Sequence, residues 1–200
     1  VVESWNGTSW TEIAEINTGR VNNMIAATSN TSGMIMGGEP PPTFSVDTEV
    51  WNGTAWTEVN NLNKGRNNGA GTGTVTASIA IGGQIQPPNA AGQEVESWNG
   101  SSWTEIAEVN TATRGQGISG TTNTDTLLFG GFAPGATANT EAFDGTSWTE
   151  VANLANARYT ATGSGVGNGA LASGSDNNGN AATASEEWSF SHPIKTVTTS

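Results

Sequence analysis

The chain contains no cysteine, which excludes disulfides, thiolate metal sites and a cysteine nucleophile and leaves the redox compartment open. It has one histidine, His192, and one tyrosine, Tyr159, so nucleophilic and general-base chemistry has little to draw on. Cations are scarce too. Six Lys and Arg stand against eighteen Asp and Glu, a formal net charge of -12. Such a surface repels a phosphate backbone and an anionic lipid face, so neither nucleic-acid binding nor membrane docking is expected. No apolar stretch approaches the roughly 18 residues of a membrane helix, so no membrane insertion is expected, and no signal peptide is visible. Gly, Asn, Thr, Ser and Ala dominate instead, which favours short strands and tight turns over long helices. The chain opens at Val1 inside a repeat, which points to processing or trimming.

One six-residue phrase organises what is present. Trp-Asn-Gly-Thr-Ser-Trp at 5–10 recurs as Trp-Asn-Gly-Thr-Ala-Trp at 51–56 and as Trp-Asn-Gly-Ser-Ser-Trp at 98–103. A fourth copy, at 143–148, reads Phe-Asp-Gly-Thr-Ser-Trp. Trp5, Trp10, Trp51, Trp56, Trp98, Trp103 and Trp148 are seven of the eight tryptophans, and Trp188 stands where a fifth copy would begin. The leading aromatic falls at 5, 51, 98, 143 and 188, a period of about 46 residues. Residues 95–106 repeat 2–13 with one change. A fixed period of this length marks one supersecondary unit that stacks on the next.

Each unit divides into four short β-type segments, a to d. In one unit, a (67–76) is rich in Gly, Ala and Thr, and b (77–81) is an apolar run stopped by Gly82-Gly83. Segments c (94–98) and d (102–107) flank Asn99-Gly100. Met34-Ile35-Met36 before Gly37-Gly38 and Leu127-Leu128-Phe129 before Gly130-Gly131 fill b elsewhere, as suits strands buried on both faces. The small side chains of a suit strands that crowd towards one axis. Asn-Gly between β-type segments predicts a two-residue type I′ turn. Trp5 then pairs with Thr8, Glu3 with Trp10, and the two Trp meet diagonally on one face. Trp5, Trp10, Trp51, Trp56, Trp98, Trp103, Phe143, Trp148 and Trp188 are therefore read as structural.

Gly-Gly closing b, an aromatic before a turn, a Trp some five residues later and an Arg leading into the next a together resemble the kelch repeat. Gly82-Gly83, Trp98, Trp103 and Arg114 supply these features in one unit, and Arg20, Arg66 and Arg158 match the Arg in the others. The resemblance covers nearly the whole chain and implies an all-β, kelch-type β-propeller of four-stranded antiparallel blades, about four to five in number. Residues 1–15 give c and d of a partial blade. Full blades follow at 20–62, 66–109 and 114–153, and 158–200 holds a last blade with its C-terminal tail. If His192 to Ser200 serves as d, the N-terminal pair belongs to an incomplete fifth blade; otherwise 1–14 could close a ring on the C-terminal strands, and a ring of five sheets and a fragment of a larger one both fit.

Antiparallel parity puts the d–a and b–c connections on one face. The b–c loops (39–44, 84–93, 132–139 and 175–180) vary while the frame around them repeats, which is where recognition is expected. The candidate ligand residues are Arg20, Arg66, Arg114, Arg158, Phe44, Phe132 and Asn177. The Arg could hold a carboxylate or an acidic sugar. Alternatively they form framework ion pairs with the Glu of c (Glu3, Glu49, Glu96, Glu141, Glu186) or of d. Asn6, Asn30, Asn52 and Asn99 lie in glycosylation-type triplets, but turn chemistry accounts for three of them. Residues 176–180 resemble a calcium loop only in composition, so no cofactor or metal is expected. Galactose-oxidase-like kelch propellers use Tyr, His and a Tyr–Cys crosslink, which one His, one Tyr and no Cys cannot assemble, and no enzyme is expected. The near-identical units, the Asn/Thr/Gly/Ala richness and the Thr-Val-Thr-Thr-Ser end resemble proteins of marine tailed phages. That implies a structural or adhesive propeller of a virion or extracellular appendage. Its partners would be itself or other structural proteins of the same assembly, with a host-surface glycan as a further one. The alternative is a soluble lectin or protein-interaction module using the b–c and d–a face.

Overall fold

Each aromatic phrase folds as a β-hairpin. In the computed structural model, which describes residues 1–40, 43–86, 90–174, 176–177, 180–181 and 183–189, β1 (Val2–Trp5) and β2 (Trp10–Ile13) form the first. Their register corrects the sequence expectation: Trp5 lies directly opposite Trp10, and Glu3 opposite Glu12. The turn holds four residues rather than two. The Asn6 N–H donates to the Ser9 carbonyl, and the Asn6 Oδ1 accepts from the N–H groups of Thr8 and Ser9 at 2.9 and 3.0 Å. An Asn side chain that caps the turn, with Gly7 at φ 98° beside it, makes the longer loop stable. The same geometry recurs at Asn52, Asn99 and Asp144. Opposed aromatics pack at centroid distances of 4.8 to 5.5 Å, tilted in the three Trp pairs and stacked in Phe143–Trp148.

The other hairpins are the outer halves of antiparallel sheets. The first sheet runs β3 (Met24–Ser29), β4 (Ser32–Met36), β5 (Thr48–Trp51) and β6 (Trp56–Val59). A short strand β7 (Arg66–Asn67) precedes the second, whose inner pair is β8 (Ala70–Thr74) and β9 (Ala77–Ile81). Its b–c loop folds on itself as β10 (Gln84–Ile85) and β11 (Ala90–Ala91), with β10 also paired to β7, before β12 (Val95–Trp98) and β13 (Trp103–Ile106) complete the sheet. The third is β14 (Gly117–Thr122), β15 (Asp125–Phe129), β16 (Thr140–Phe143) and β17 (Trp148–Glu150). The last contains β18 (Thr162–Val166), β19 (Gly169–Ser173) and β22 (Ser185–Ser189), with a ribbon of β20 (Asp176–Asn177) and β21 (Asn180–Ala181) between them. His192 to Ser200, the expected substitute for d, lies outside the described residues.

The core lies between sheets, one apolar cluster per junction. Met24, Met34, Met36 and Leu62 of the first sheet meet Ala80, Trp98 and Trp103 of the second. Ile79, Ile81 and Val95 meet Leu128, Phe143 and Trp148, and Leu127 and Phe129 meet Ala170 and Ala172. β4, β9 and β15 are buried on both faces, as their unbroken apolar runs imply, whereas β19 leaves Leu171 exposed. The inner strands stand side by side in the order β3, β8, β14, β18. A Cβ on Gly163 would run into the Ile118 carbonyl, and one on Gly71 would sit 3.0 Å from Met24 Cβ, so the small residues of a follow from this closeness. All four inner strands line a central cavity of about 300 Å3. The whole is an all-β stack of antiparallel sheets, compatible with a propeller-like arrangement.

A repeated clamp joins the sheets. Asn63 donates its N–H and Nδ2 to Glu96 Oε2 at 2.8 and 2.7 Å, and the Arg66 guanidinium donates to Glu96 Oε1 at 2.6 Å. Arg66 also donates to the Gly82 and Glu94 carbonyls, and both charged side chains are fully buried. Arg20 and Asn17 hold Glu49 in the same way, and Arg158 with the Ala155 N–H holds Glu186. The clamp's own backbone reaches back to the previous sheet. Gly38 donates to the Arg66 carbonyl and Gly131 to the Arg158 carbonyl, each at 2.8 Å. Indoles add a second tie, from Trp56 to the Ala14 carbonyl, Trp103 to Thr48 Oγ1 and Trp148 to the Ala107 carbonyl.

Removing one member of a buried pair strands the other charge. Arg66→Ala is expected to cost about 3–5 kcal/mol in urea unfolding, and Arg66→Met with Glu96→Leu to recover most of it. The fourth turn supplies a pH test. Backbone N–H groups of Ser147 and Thr146 hold the Asp144 carboxyl below its ordinary 3.8. Its contribution is therefore present above that value and lost as pH falls through the lower folded one. Asp144→Asn, with an uncharged acceptor in the same turn, should flatten the fall of the unfolding midpoint below about pH 4.

Candidate functional site

The inner strands begin at equivalent ladder positions, Met24, Ala70, Gly117 and Thr162. Counting back four residues from each reaches Arg20, Arg66, Thr113 and Arg158. The third unit therefore carries Thr113, not Arg114, at the clamp position. Backbone bonding agrees, because the Thr113 carbonyl accepts from Gly83 as those of Arg66 and Arg158 accept from Gly38 and Gly131. Glu141 is held without a guanidinium, by the N–H and Nδ2 of Asn110 and the N–H of Thr111. Matching Arg114 to Arg20, Arg66 and Arg158 is thus one residue out, and the shift takes its side chain off the clamp.

The candidate ligand residues separate accordingly. Arg20, Arg66 and Arg158 have side chains no more than 1% exposed, in ion pairs with Glu49, Glu96 and Glu186. Phe44 is half-buried and donates its N–H to Gln86 Oε1. Asn177 pairs with Asn180 in the β20–β21 ribbon, and the loop tip at 178–179 lies outside the described residues. Arg114 and Phe132 alone of the seven come together. Two backbone bonds link them, Arg114 N–H to the Phe132 carbonyl at 3.3 Å and the reverse at 2.9 Å. The Arg114 guanidinium carbon stands 5.1 Å from the Phe132 ring centre, and its Nη1 donates to Gln84 Oε1. Tyr159 meets the same ring edge-on at 5.2 Å.

These contacts belong to a series around the end where the inner strands start. The residue after each Gly-Gly reaches the residue after the next clamp position: Glu39 to Asn67, Gln84 to Arg114, Phe132 to Tyr159. Beneath it runs a backbone rail, with Asn68 donating to the Asn22 carbonyl, Gly115 to Asn68 and Thr160 to Gly115. All four rail residues hold positive φ, between 51° and 62°. Left-handed backbone at Asn22, Asn68 and Thr160 is uncommon for such residues and persists because the rail over-determines it. Asn68, Arg114, Gly115, Phe132, Tyr159 and Thr160 surround an open hollow of about 270 Å3. Sequence reasoning missed Asn68, Gln84, Tyr159 and Thr160 as site residues. Aligning units on Gly-Gly rather than on Arg would have brought them into register.

Among the described residues, Arg114 makes no ion pair with a carboxylate. A guanidinium lying on one aromatic ring, with a second beside it, offers planar donors to a carboxylate or sulfate and apolar faces to a sugar ring. Among the described residues no cluster of three or more His, Asp or Glu could hold a metal. No protein-family model matches the chain, and no curated protein matches it. Because Arg114 rests on the surface of the frame, Arg114→Ala should change the unfolding free energy by no more than about 1 kcal/mol. Urea titration beside Arg66→Ala would check that contrast.

Proposed function

We propose that this protein is a non-enzymatic, kelch-type β-propeller of about four to five blades, a structural or adhesive unit of a virion or other extracellular appendage. Its composition and repeat resemble those of proteins of marine tailed phages. The side-by-side inner strands, the Gly-Gly stops and the Arg–Glu clamps support the kelch reading of the frame. One observation carries the adhesive half: the Arg114–Phe132–Tyr159 hollow, where variable residues meet on that frame. Its chemistry suits a host-surface glycan bearing a carboxylate or sulfate, with the sugar face on Phe132 or Tyr159 and the acid on Arg114.

The same hollow favours the alternative of a soluble lectin or protein-interaction module, and native size separates the two. Assembly into particles or fibres without ligand counts against a free lectin, while a monomer that binds glycans counts against a purely structural role. On an array of neutral and acidic glycans, the protein should retain an acidic subset, and Arg114→Ala should lose it by about tenfold or more. Unchanged retention by that variant, or no retention by the parent, defeats the adhesive reading. Robust turnover in an oxidase or glycosidase screen with added metals defeats the non-enzyme reading.

A further inference from the structure

Hydrogen-bond polarity gives the hollow beside Arg114 a second specific atom. Glu39 Oε2 accepts from Asn67 Nδ2 at 2.8 Å, and Asn67 Oδ1 accepts from Asn68 Nδ2 at 3.3 Å. A carboxylate can only accept, so Glu39 fixes which way the Asn67 amide faces. Asn67, only 2% exposed, therefore presents its oxygen to Asn68, which must answer with Nδ2. Asn68 lines the hollow, and its Oδ1 receives no donor among the described residues. Two amides in series thus deliver a fixed acceptor to the hollow, set by one carboxylate.

The backbone holds this series against the Arg114 group. Asn68 donates its N–H to the Asn22 carbonyl and accepts from Gly115, with φ at 51°. Between β7 and β10, Asn67 stands opposite Gln84. The residue that orients Asn68 and the residue that holds Arg114 are therefore cross-strand neighbours. Gln84 Oε1 occupies the Arg114 Nη1. The remaining edge of the guanidinium, Nε and Nη2, carries two parallel N–H bonds, which match the two oxygens of a carboxylate. Fork and acceptor share one space of about 270 Å3, with the Phe132 and Tyr159 rings beside them. That is room for a single sugar residue.

We propose that the hollow selects a terminal uronic acid, with its carboxylate on the Nε–Nη2 edge of Arg114 and its 4-hydroxyl donating to Asn68 Oδ1. The carboxyl of such a sugar is flanked by the ring oxygen, which cannot donate, and by the 4-hydroxyl, which can. A fixed acceptor beside a fork of donors reads that pair. A neutral sugar leaves the fork unmatched, and a 4-linked residue has no hydroxyl to give. A sulfate ester carries its charge further from the ring, across a rotatable C–O–S link, so acid and hydroxyl lose their spacing. Glu39 and Asn67 are positioning residues and act through Asn68. The inference rests on the adhesive reading of the hollow and narrows its ligand.

The test uses immobilised glycans ending in glucuronate, its 4-O-methyl ether, its carboxamide and glucose 6-sulfate. The parent should retain the glucuronate about tenfold or more better than each of the other three. Asn68→Gly, which keeps the left-handed backbone without strain, should bring the glucuronate down to the level of its ether and still discriminate against the carboxamide. Glu39→Gln no longer fixes the Asn67 amide, and should cut the preference for glucuronate over its ether by about threefold or more. A merely structural Glu39 would weaken all four glycans together and leave that preference unchanged, which overturns its positioning role. Equal retention of the glucuronate and its ether or the sulfate, with Arg114→Ala losing all of them, overturns the inference and leaves the adhesive reading standing. No retention of any acidic glycan by the parent overturns both.

Discussion

The junctions between sheets hang on a buried carboxylate in the c strands β5, β12 and β16. Burying Glu49, Glu96 or Glu141 alone would cost several kcal/mol, so each must be met by fixed donors. The donors come from the connection that enters the same sheet from its predecessor, through the Asn or Thr backbone and, in three units, an Arg. One interaction thus fixes three things: where the connection ends, how β16 or its equivalents are oriented, and which carbonyl faces the previous sheet. That carbonyl then accepts the second Gly of Gly-Gly, while a Cβ on the first, Gly37, Gly82 or Gly130, would stand only 2.5 to 2.9 Å from it. The glycine pair, the Arg and the Glu are one device. Their shared period is a consequence of it.

A frame so over-determined leaves certain positions free of structural duty. The residue after Gly-Gly and the residue after the clamp are held at the backbone by bridges, such as those between Val21 and Glu39 or Arg114 and Phe132. Their side chains are not needed to hold it, and they read Glu39, Gln84 and Phe132 on one side and Val21, Asn67, Arg114 and Tyr159 on the other. Variation there costs the fold little, which is the condition under which a repeat can acquire a site. The third unit goes further, because it dispenses with the clamp Arg and supports Glu141 on two backbone N–H groups and the Asn110 Nδ2.

Most of the frame was legible in the sequence. The period, the four segments, the apolar b strands and the small a strands all follow from side-chain size and burial, which residue type reports directly. The turn was not: Asn-Gly suggests a two-residue loop, and only the capping by Asn6 Oδ1 explains the four-residue one. Nor was the site. Arg114 looks like Arg20, Arg66 and Arg158 by type and is one residue away by count, and a one-residue step moves a guanidinium from core to surface. The exposure of Trp5 and Trp10 was equally hidden, because the phrase reads alike whether its aromatics are buried, as at Trp98 and Trp103, or exposed.

The charge distribution limits what kind of recognition this surface supports. Arg20, Arg66, Arg158 and Lys64 are each matched to a carboxylate, so the described cations do little to offset the outward field of the remaining acids. A chain of net charge -12 disfavours any anionic partner at long range. At physiological salt that field fades over about 8 Å, whereas a guanidinium in contact with a ligand acts inside that distance. Arg114 can therefore select among partners that have already arrived, but it cannot draw them in. Attraction must come from the aromatic faces of Phe132 and Tyr159 or from many weak contacts at once.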